Sequence, residues 1–434
     1  MPIDTIARLV EGTLPDPDEN GSGLLHVPTR SVVIADNLAG VEAELVLNLD
    51  LEPPYAVVSD PLTRGVLGKR VERALGSTGA VISVQLDHRP NADMFTANAL
   101  IRQTTNANSL IAVGSGTIND LCKFAAARQK KHCAVFATAP SMNGYTSVNA
   151  AISEHGLKKS LATVAPDGVF MDLEVLANAP LRMIQSGLGD SVCRPTAQAD
   201  WLLSHLIFNG VYRQAPFDLL ADDEDALFAE PEALVSGNLE AMRRLARTLV
   251  LSGFGMTICG GSYPASQGEH LISHYLEMRS PPDWVAHFHG EQIAVTTCVM
   301  ARLQEQILSG PRPWISPSAV TKSSLVDHFG NETGAACWNE FQPKRVNAQR
   351  AEQINSRLEQ NWQEIQEAIS KVAIAPDRIA ATLSRAGAPV SFTDIGLSRD
   401  FFSNAVLHAR EIRNRFTFLD LAADAGRLHV NNLL

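Results

Sequence analysis

The sequence predicts an α/β half built on a parallel sheet, followed by an all-helical half. The first observation is a set of short apolar runs of β type: Tyr55-Ala56-Val57-Val58, Ala80-Val81-Ile82-Ser83-Val84, Leu110-Ile111-Ala112-Val113, Cys133-Ala134-Val135-Phe136-Ala137 and Gly168-Val169-Phe170-Met171. Runs apolar on both faces and separated by helix-length segments belong to strands covered by helices on either side. The second is a change of period after residue 185. Asp223 to Leu251, Gln292 to Leu308 and Val346 to Val372 carry apolar positions at helical spacing, with few β-branched runs between them. The third is length, since 434 residues exceed what one hydrophobic core ordinarily serves.

These observations divide the chain into residues 1–25, a Pro- and Gly-rich acidic extension; residues 26–185, an α/β domain in which the motifs below point to nucleotide binding; and residues 186–434, a helical domain in which they point to a catalytic metal. Val346 to Val372 is dense in Glu, Gln, Arg and Asn, and its apolar positions are too irregular for sustained heptads. A solvated helix face is expected there.

Hydrophobic residues make up 45% of the chain and charged residues 19%, the balance of a globular protein. With 36 Lys plus Arg against 47 Asp plus Glu, the formal charge is −11 and no basic block tracks a nucleic-acid backbone. Nucleic acid is excluded as a partner on this ground. Cys122, Cys133, Cys193, Cys259, Cys298 and Cys337 are scattered without CxxC pairs, as expected of reduced thiols. No apolar run is long enough to cross a bilayer and no signal-like start is present, so a cytoplasmic location with no membrane partner is expected.

The strand Leu110-Ile111-Ala112-Val113 runs into Gly114-Ser115-Gly116-Thr117-Ile118-Asn119-Asp120 and then a helical segment. Glycines after a strand let backbone approach a pyrophosphate, and the helix N-terminus presents unpaired N–H groups, so Gly114, Ser115, Gly116, Thr117 and Asp120 are candidates for cofactor binding. A tight strand-to-helix turn is the alternative. Asp60, after Val57-Val58-Ser59, is either a carboxylate that accepts the ribose hydroxyls of NAD(H) or a helix N-cap. Thr138, Ser141, Asn143 and Ser147 stand in the polar loop Ala137 to Ser147, which either lines a crevice between the halves or is a plain connection.

Downstream, Asp190, His270 and His289 stand in Ser186-Gly187-Leu188-Gly189-Asp190, Gly268-Glu269-His270-Leu271-Ile272-Ser273-His274 and His287-Phe288-His289-Gly290-Glu291. One carboxylate and two imidazoles suit a divalent cation with a coordination position open for substrate. Asp190 follows what reads as a Gly-Leu-Gly turn, which leaves a helix cap as its alternative. His270 and His274 share a helix face one turn apart.

Taken in this order and combination, these segments resemble the sn-glycerol-1-phosphate dehydrogenases, bacterial branch, in the superfamily of glycerol dehydrogenase, iron-containing alcohol dehydrogenases and dehydroquinate synthase. The resemblance runs from about residue 30 to the C-terminus and includes Ala199-Asp200-Trp201, His328-Phe329-Gly330, Ala336-Cys337-Trp338 and Phe416-Thr417-Phe418-Leu419-Asp420-Leu421-Ala422. It implies a Rossmann-like N-terminal domain that binds NAD(H) or NADP(H), an all-α C-terminal domain and an active site in the cleft between them. It also implies one divalent metal, zinc or nickel, on Asp190, His270 and His289, with His274 near the substrate as a proton relay. His287 would be set aside in favour of His289.

The implied reaction interconverts dihydroxyacetone phosphate and sn-glycerol 1-phosphate, a small phosphorylated three-carbon substrate, in a homo-oligomer expected to be a dimer. Lys158, Lys159 and Arg194 are candidates for the phosphate, with solvated surface side chains as the alternative. One departure stands out. The family typically carries Asp where this chain has Asn143, which leaves open a polyol dehydrogenase or cyclase-like relative, or a weakly active or non-catalytic homologue.

Overall fold

A computed structural model describes residues 4–19, 23–154, 157–285 and 287–434 of the chain. By contacts it forms two compact units: residues 1–154, 158–191 and 213–262 make the first, and residues 155–157, 192–212 and 263–434 the second.

The first unit is built on a six-stranded sheet of β1 (Ser31–Ala35), β2 (Tyr55–Ser59), β3 (Val81–Gln85), β4 (Ser109–Gly114), β5 (His132–Ala137) and β8 (Gly168–Asp172), in the order β1-β8-β5-β4-β2-β3. Every neighbouring pair is parallel. Every residue of β2, β4 and β8 is buried, whereas the edge strands β1 and β3 are largely half-buried or exposed. On one face Val57, Ile111, Val113, Phe136 and Phe170 pack with Val46, Val71 and Leu75. The Phe136 and Phe170 rings lie 4.9 Å apart. The expected parallel sheet is therefore present, and two-faced burial explains the unbroken apolar runs of β2, β4, β5 and β8, whereas β3 is an edge strand.

Three features differ from the sequence expectation. β1 is a strand at the sheet's edge. A separate two-stranded hairpin joins β6 (Asn149–Glu154) and β7 (Leu157–Ala162). The stretch 213–262 groups with the sheet unit, not with the helical half expected from residue 186 onward. Its helix Leu239–Ile258 is tied to the sheet side by side chain–backbone bonds: Thr146 Oγ1 donates to the Val250 carbonyl at 2.7 Å, Thr257 Oγ1 to the Thr146 carbonyl at 3.0 Å, and Arg243 to the Ile34 carbonyl at 2.9 Å. Helical period reports what a segment is and not which core it covers.

The extension is also part of this unit. Thr5–Val10 is helical and buries Ile6 and Leu9, and Arg213 pairs with Asp16 and, at 3.0 Å, with Asp18. Asn20-Gly21-Ser22, within the acidic stretch, lies outside the described residues.

Apart from Leu157, which belongs to β7, the regular elements of the second unit are helices, joined by irregular connections. Its core runs from Leu203 and Leu271 through Val295 and Leu358 to Phe402 and Phe418. Val346 to Val372 contains the single helix Ala348–Ser370, which buries Ile354, Leu358, Trp362, Ile365 and Ile369 on one stripe and leaves the opposite face polar. Among the described residues no helix is long and apolar enough to cross a membrane.

A buried cation braces the sheet unit. Lys123, fully enclosed on the helix Gly116–Gln129, donates to the carbonyls of Gly144 at 2.9 Å and Asn149 at 2.5 Å and to Ser147 Oγ at 3.1 Å, and it pairs with Asp120 at 3.1 Å. One ammonium thus joins the helix after β4, the loop after β5 and the start of the hairpin. Lys123→Met leaves these acceptors unsatisfied and the carboxylate uncompensated, and it is expected to lower the unfolding free energy by about 3 kcal/mol. Urea denaturation reads this directly, and a loss under about 1 kcal/mol would remove the bracing role.

Candidate active site

Because the strands run parallel, the segments that follow β2, β4 and β5 all leave the same edge of the sheet. Asp60 follows β2, Gly114-Ser115-Gly116-Thr117 follows β4, and Thr138 begins the loop after β5. Val58 pairs with Ala112 and Gly114 with Ala137, which holds these segments side by side. An open parallel sheet takes ligands at this carboxyl edge.

Ser115 is the N-cap residue of the helix Gly116–Gln129, and its side chain makes no capping bond. The first N–H groups of a 14-residue helix are thus not satisfied by their own cap, as an anion-binding end requires. A Cβ on Gly116 would lie 2.9 Å from Met142 Cγ, so glycine is also needed for the loop 138–147 to pack against the helix start. The Thr138 N–H donates to the Gly114 carbonyl at 3.1 Å and joins that loop to the turn.

Other candidates from the sequence already serve the fold. Asp60 is an N-cap: its Oδ1 accepts from Thr63 N at 2.8 Å, and Thr63 Oγ1 accepts from Asp60 N at 3.0 Å. Asp120 accepts from Ala151 N at 2.9 Å and faces Lys123. Ser147 Oγ stands against Lys123, and the Ser141 carbonyl accepts from Ser186 Oγ at 3.0 Å. Side-chain oxygens at this edge largely brace backbone.

Asp190 lies on the helix Leu181–Val192, near its C-terminal end, and is buried. The Gly187-Leu188-Gly189 segment, which reads as a turn, is inside this helix, so an N-cap role for Asp190 is excluded. Gly187 is required by contact, since a Cβ there would fall 1.7 Å from the Pro140 carbonyl oxygen. That contact presses the helix against the loop 138–147, where the Asn143 N–H donates to Asp190 Oδ2 at 2.8 Å. Among the described residues the buried Nδ2 of Asn143 has no hydrogen-bond partner.

In the helical unit three imidazoles converge. His270 and His274 stand one turn apart on the helix Gly268–Arg279, and His289 opens the helix His289–Ser309. The ring centroids lie 5.1 Å apart for His270 and His289, 6.0 Å for His270 and His274, and 6.1 Å for His274 and His289. His287 is set aside, with its ring stacked on Trp284 at 6.3 Å and its carbonyl accepting from Gln292 Nε2 at 3.0 Å.

The surroundings orient these rings. Glu269 Oε1 lies 2.9 Å from His270 Nδ1 and accepts from Gln267 N at 2.7 Å. A carboxylate there places the imidazole proton on Nδ1 and leaves the lone pair on Nε2. Glu291 accepts from Phe288 N at 2.8 Å and fixes the turn into His289. Asp200, wholly buried, accepts from Gly268 N at 2.9 Å and Phe418 N at 2.8 Å. Burial, and next the Glu269 charge, push the Asp200 carboxyl well above the usual carboxylate range. On the far side of the helix Tyr275 Oη meets His328 Nε2 at 2.8 Å, and His328 stacks on His408 at 3.8 Å.

Glu269 and Asp200 are the functional-site residues that sequence reasoning missed. Their signal was adjacency: Glu269 precedes His270, and Asp200 lies in Ala199-Asp200-Trp201, where nothing local reveals its two distant N–H partners.

Residues 33–180 match the family model for iron-containing alcohol dehydrogenase. The glycerol-1-phosphate dehydrogenase [NAD(P)+] of Bacillus licheniformis is 28% identical over 94% of this chain and 92% of its own length. That of Bacillus subtilis is 30% identical over 84% of this chain and 83% of its own length. The chain belongs to the glycerol-1-phosphate dehydrogenase family. In fold it is similar to a probable glycerol dehydrogenase from Sinorhizobium meliloti, with a TM-score of 0.63 at 16% identity over 93% of this chain and 96% of that one. The Rossmann-like sheet unit and helical C-terminal region are thus those of glycerol dehydrogenases and iron-containing alcohol dehydrogenases, and the chain is an oxidoreductase of that family.

The Asp60 cap begins a helical run that continues through residues 61–76. Asp60→Ala is expected to cost about 1 kcal/mol of stability through loss of the cap, measured by thermal or urea unfolding. An unchanged midpoint would show that the capping box contributes nothing.

Proposed function

We propose that this chain is a metal-dependent, NAD(P)-linked enzyme that interconverts dihydroxyacetone phosphate and sn-glycerol 1-phosphate. The observation that carries the reading is His270, oriented by a buried Glu269 so that Nε2 is its ligating nitrogen, beside His274 and His289 in a chain of this family. Asp190, His270 and His289 are assigned as the ligands of one divalent cation, zinc or nickel. Two neutral imidazoles and one carboxylate match a borderline cation, and three protein ligands leave a position for substrate. When bound, the cation supplies Lewis acidity toward the substrate ketone.

The protein's own groups do the rest. His274 is suited, as an imidazole, to pass a proton between one of its ring nitrogens and the substrate oxygen as hydride moves. The helix start at Gly114-Ser115-Gly116-Thr117 is assigned to the cofactor pyrophosphate, with Thr138 at the same edge. Asp60 is assigned to the adenosine ribose through the part of its carboxylate outside the cap, which favours NAD(H) over NADP(H). Cys122, Cys133, Cys193, Cys259, Cys298 and Cys337 form no disulfide, which supports a reducing, cytoplasmic setting. A homodimer is the expected assembly.

The direct test is oxidation of NADH by purified protein supplied with dihydroxyacetone phosphate, together with its metal content. Turnover only with an unphosphorylated ketone or polyol would move the chain to a polyol dehydrogenase, and none with either would make it a non-catalytic relative.

Removing one ligand from a three-ligand site leaves too few donors to hold the ion. His270→Ala is therefore expected to purify largely metal-free by elemental analysis, and metal content equal to wild type would refute the ligand set.

Asn143 is placed to matter. Its N–H holds Asp190, and its buried amide Nδ2 is a donor that a bound substrate or cofactor would satisfy. A carboxylate at this position would instead take a proton or orient a substrate hydroxyl, contributions typically worth about a hundred- to ten-thousand-fold in rate. Turnover of dihydroxyacetone phosphate by wild type is expected to be low, and Asn143→Asp is expected to raise kcat. A fully competent wild type that Asn143→Asp leaves unchanged would show that the amide suffices.

A further inference from the structure

One ion pair of the sheet unit stands beside a residue assigned to the cofactor and has no part in the function proposed above. Arg64 and Glu72 lie on the helical run that Asp60 caps. The guanidinium is held by both carboxylate oxygens, with Nε 3.1 Å from Glu72 Oε1 and Nη2 2.9 Å from Oε2. We infer that this pair sets the cofactor preference: Glu72 neutralises and withdraws the arginine that a 2′-phosphate would need, so the chain selects NAD(H) over NADP(H). The inference rests on the function proposed above and on Asp60 as the ribose ligand.

Three observations carry it, all within the sheet unit. The first is place. In sheet order β2 lies between β4, whose turn is assigned to the pyrophosphate, and β3. A dinucleotide that meets the turn after β4 and then Asp60 after β2 therefore runs toward the β3 side. The pair stands on that side, because Ser83 of β3 donates through Oγ to Glu72 Oε1.

The second is reach. The Arg64 N–H donates to the Asp60 carbonyl at 2.9 Å, and a Cβ on Gly68 would stand 3.4 Å from both Arg64 Cγ and Ser59 Cβ. The stem of Arg64 thus lies beside the last residue of β2, next to Asp60. Its head turns away. Ser83 is in register with Val57, two residues before the end of β2, so Glu72 draws the guanidinium back along the strands from the carboxyl edge.

The third is charge. Arg64 is the only basic residue in 61–68. Farther along the run, Arg70 is committed to Glu42 and, at 2.7 Å, to Asp172. The loop after β3 reaches the same edge, since the Leu86 N–H donates to the Ser59 carbonyl at 2.8 Å, and it brings the exposed Asp87 and Arg89, of opposite sign. A 2′-phosphate at Asp60 would meet that carboxylate and an arginine whose charge Glu72 already cancels. A ribose with hydroxyls alone needs no cation. Released from Glu72, the same guanidinium has the planar fork that suits a phosphate.

Dissociation constants for NADH and NADPH, read from the fluorescence of the reduced nicotinamide at fixed salt and saturating zinc, test this without turnover. Wild type is expected to bind NADH more tightly. Glu72→Gln, which keeps the shape and releases the guanidinium, is expected to tighten NADPH about tenfold and to change NADH by less than about threefold. Arg64→Gln leaves the Glu72 charge uncompensated and is expected to weaken NADPH about three- to tenfold, so it reports from the opposite side if Glu72→Gln does not fold. The double variant Arg64→Gln/Glu72→Gln should return to within about threefold of wild type, because the gain in Glu72→Gln needs the guanidinium. A wild type without preference, equal changes for both cofactors, or an NADPH gain that persists in the double variant would overturn the pair's role and leave the proposed function standing. Binding of neither cofactor by wild type would overturn both.

Discussion

The histidine cluster of the helical unit depends on a carboxyl group outside it. Asp200 is wholly enclosed, and its two oxygens take the N–H of Gly268 at 2.9 Å and the N–H of Phe418 at 2.8 Å. One of these begins the helix that carries His270 and His274, and the other begins the last α-helix of the chain. Orphan N–H groups at buried helix starts must find acceptors, and a single acid satisfies two from segments far apart in sequence. Glu269 stands beside it and binds Gln267 N and His270 Nδ1 through the same oxygen. The direction of the His270 ring thus follows from how two buried carboxyl groups meet their hydrogen-bonding needs.

The sheet unit applies the same economy to a different end. At the carboxyl edge of the strands most side-chain oxygens and the enclosed Lys123 ammonium hold the fold in place: Asp60 caps a helix, Asp120 and Ser147 meet Lys123, and the Ser186 hydroxyl donates to the Ser141 carbonyl. What is offered to a ligand is mainly backbone, namely the N–H groups at the start of the helix Gly116–Gln129, beside the part of the Asp60 carboxylate outside its cap. Backbone donors on a rigid strand–turn–helix cost little reorganisation when an anion arrives, which suits a cofactor that must bind and leave repeatedly. Asn143 joins this braced loop to Asp190, so the loop after β5 also holds a proposed metal ligand.

Local pattern made much of the architecture legible. The apolar runs of β2, β4, β5 and β8 are continuous because helices cover both faces, whereas a strand with one solvated face would alternate apolar and polar residues. The helices of the second half are marked by their period, as in Ala348–Ser370. The histidines were legible too, since one-turn spacing puts His270 and His274 on one face wherever the helix goes. Allegiance was not legible. Leu239–Ile258 has the same period as its neighbours and yet packs on the sheet unit, because Thr146 and Thr257 bond across from it.

The sequence by itself determined the strands β2 to β5 and β8, the helical period of the second half and the family, because each is written in residue type and spacing over a few turns. Only the tertiary structure decided what each polar group does. Asp60 and Asp120 have the residue type and place of cofactor ligands, and both hold the fold. Glu269 and Asp200 carry no local mark of a role, and both orient the helix of His270. Gly187-Leu188-Gly189, a turn by composition, lies inside a helix, and residue 187 is glycine because Pro140 stands where a side chain would be. The reason is common to all of them. A buried polar atom takes whichever partner the packed chain brings within hydrogen-bond reach, and that partner is set by contacts across tens to hundreds of residues.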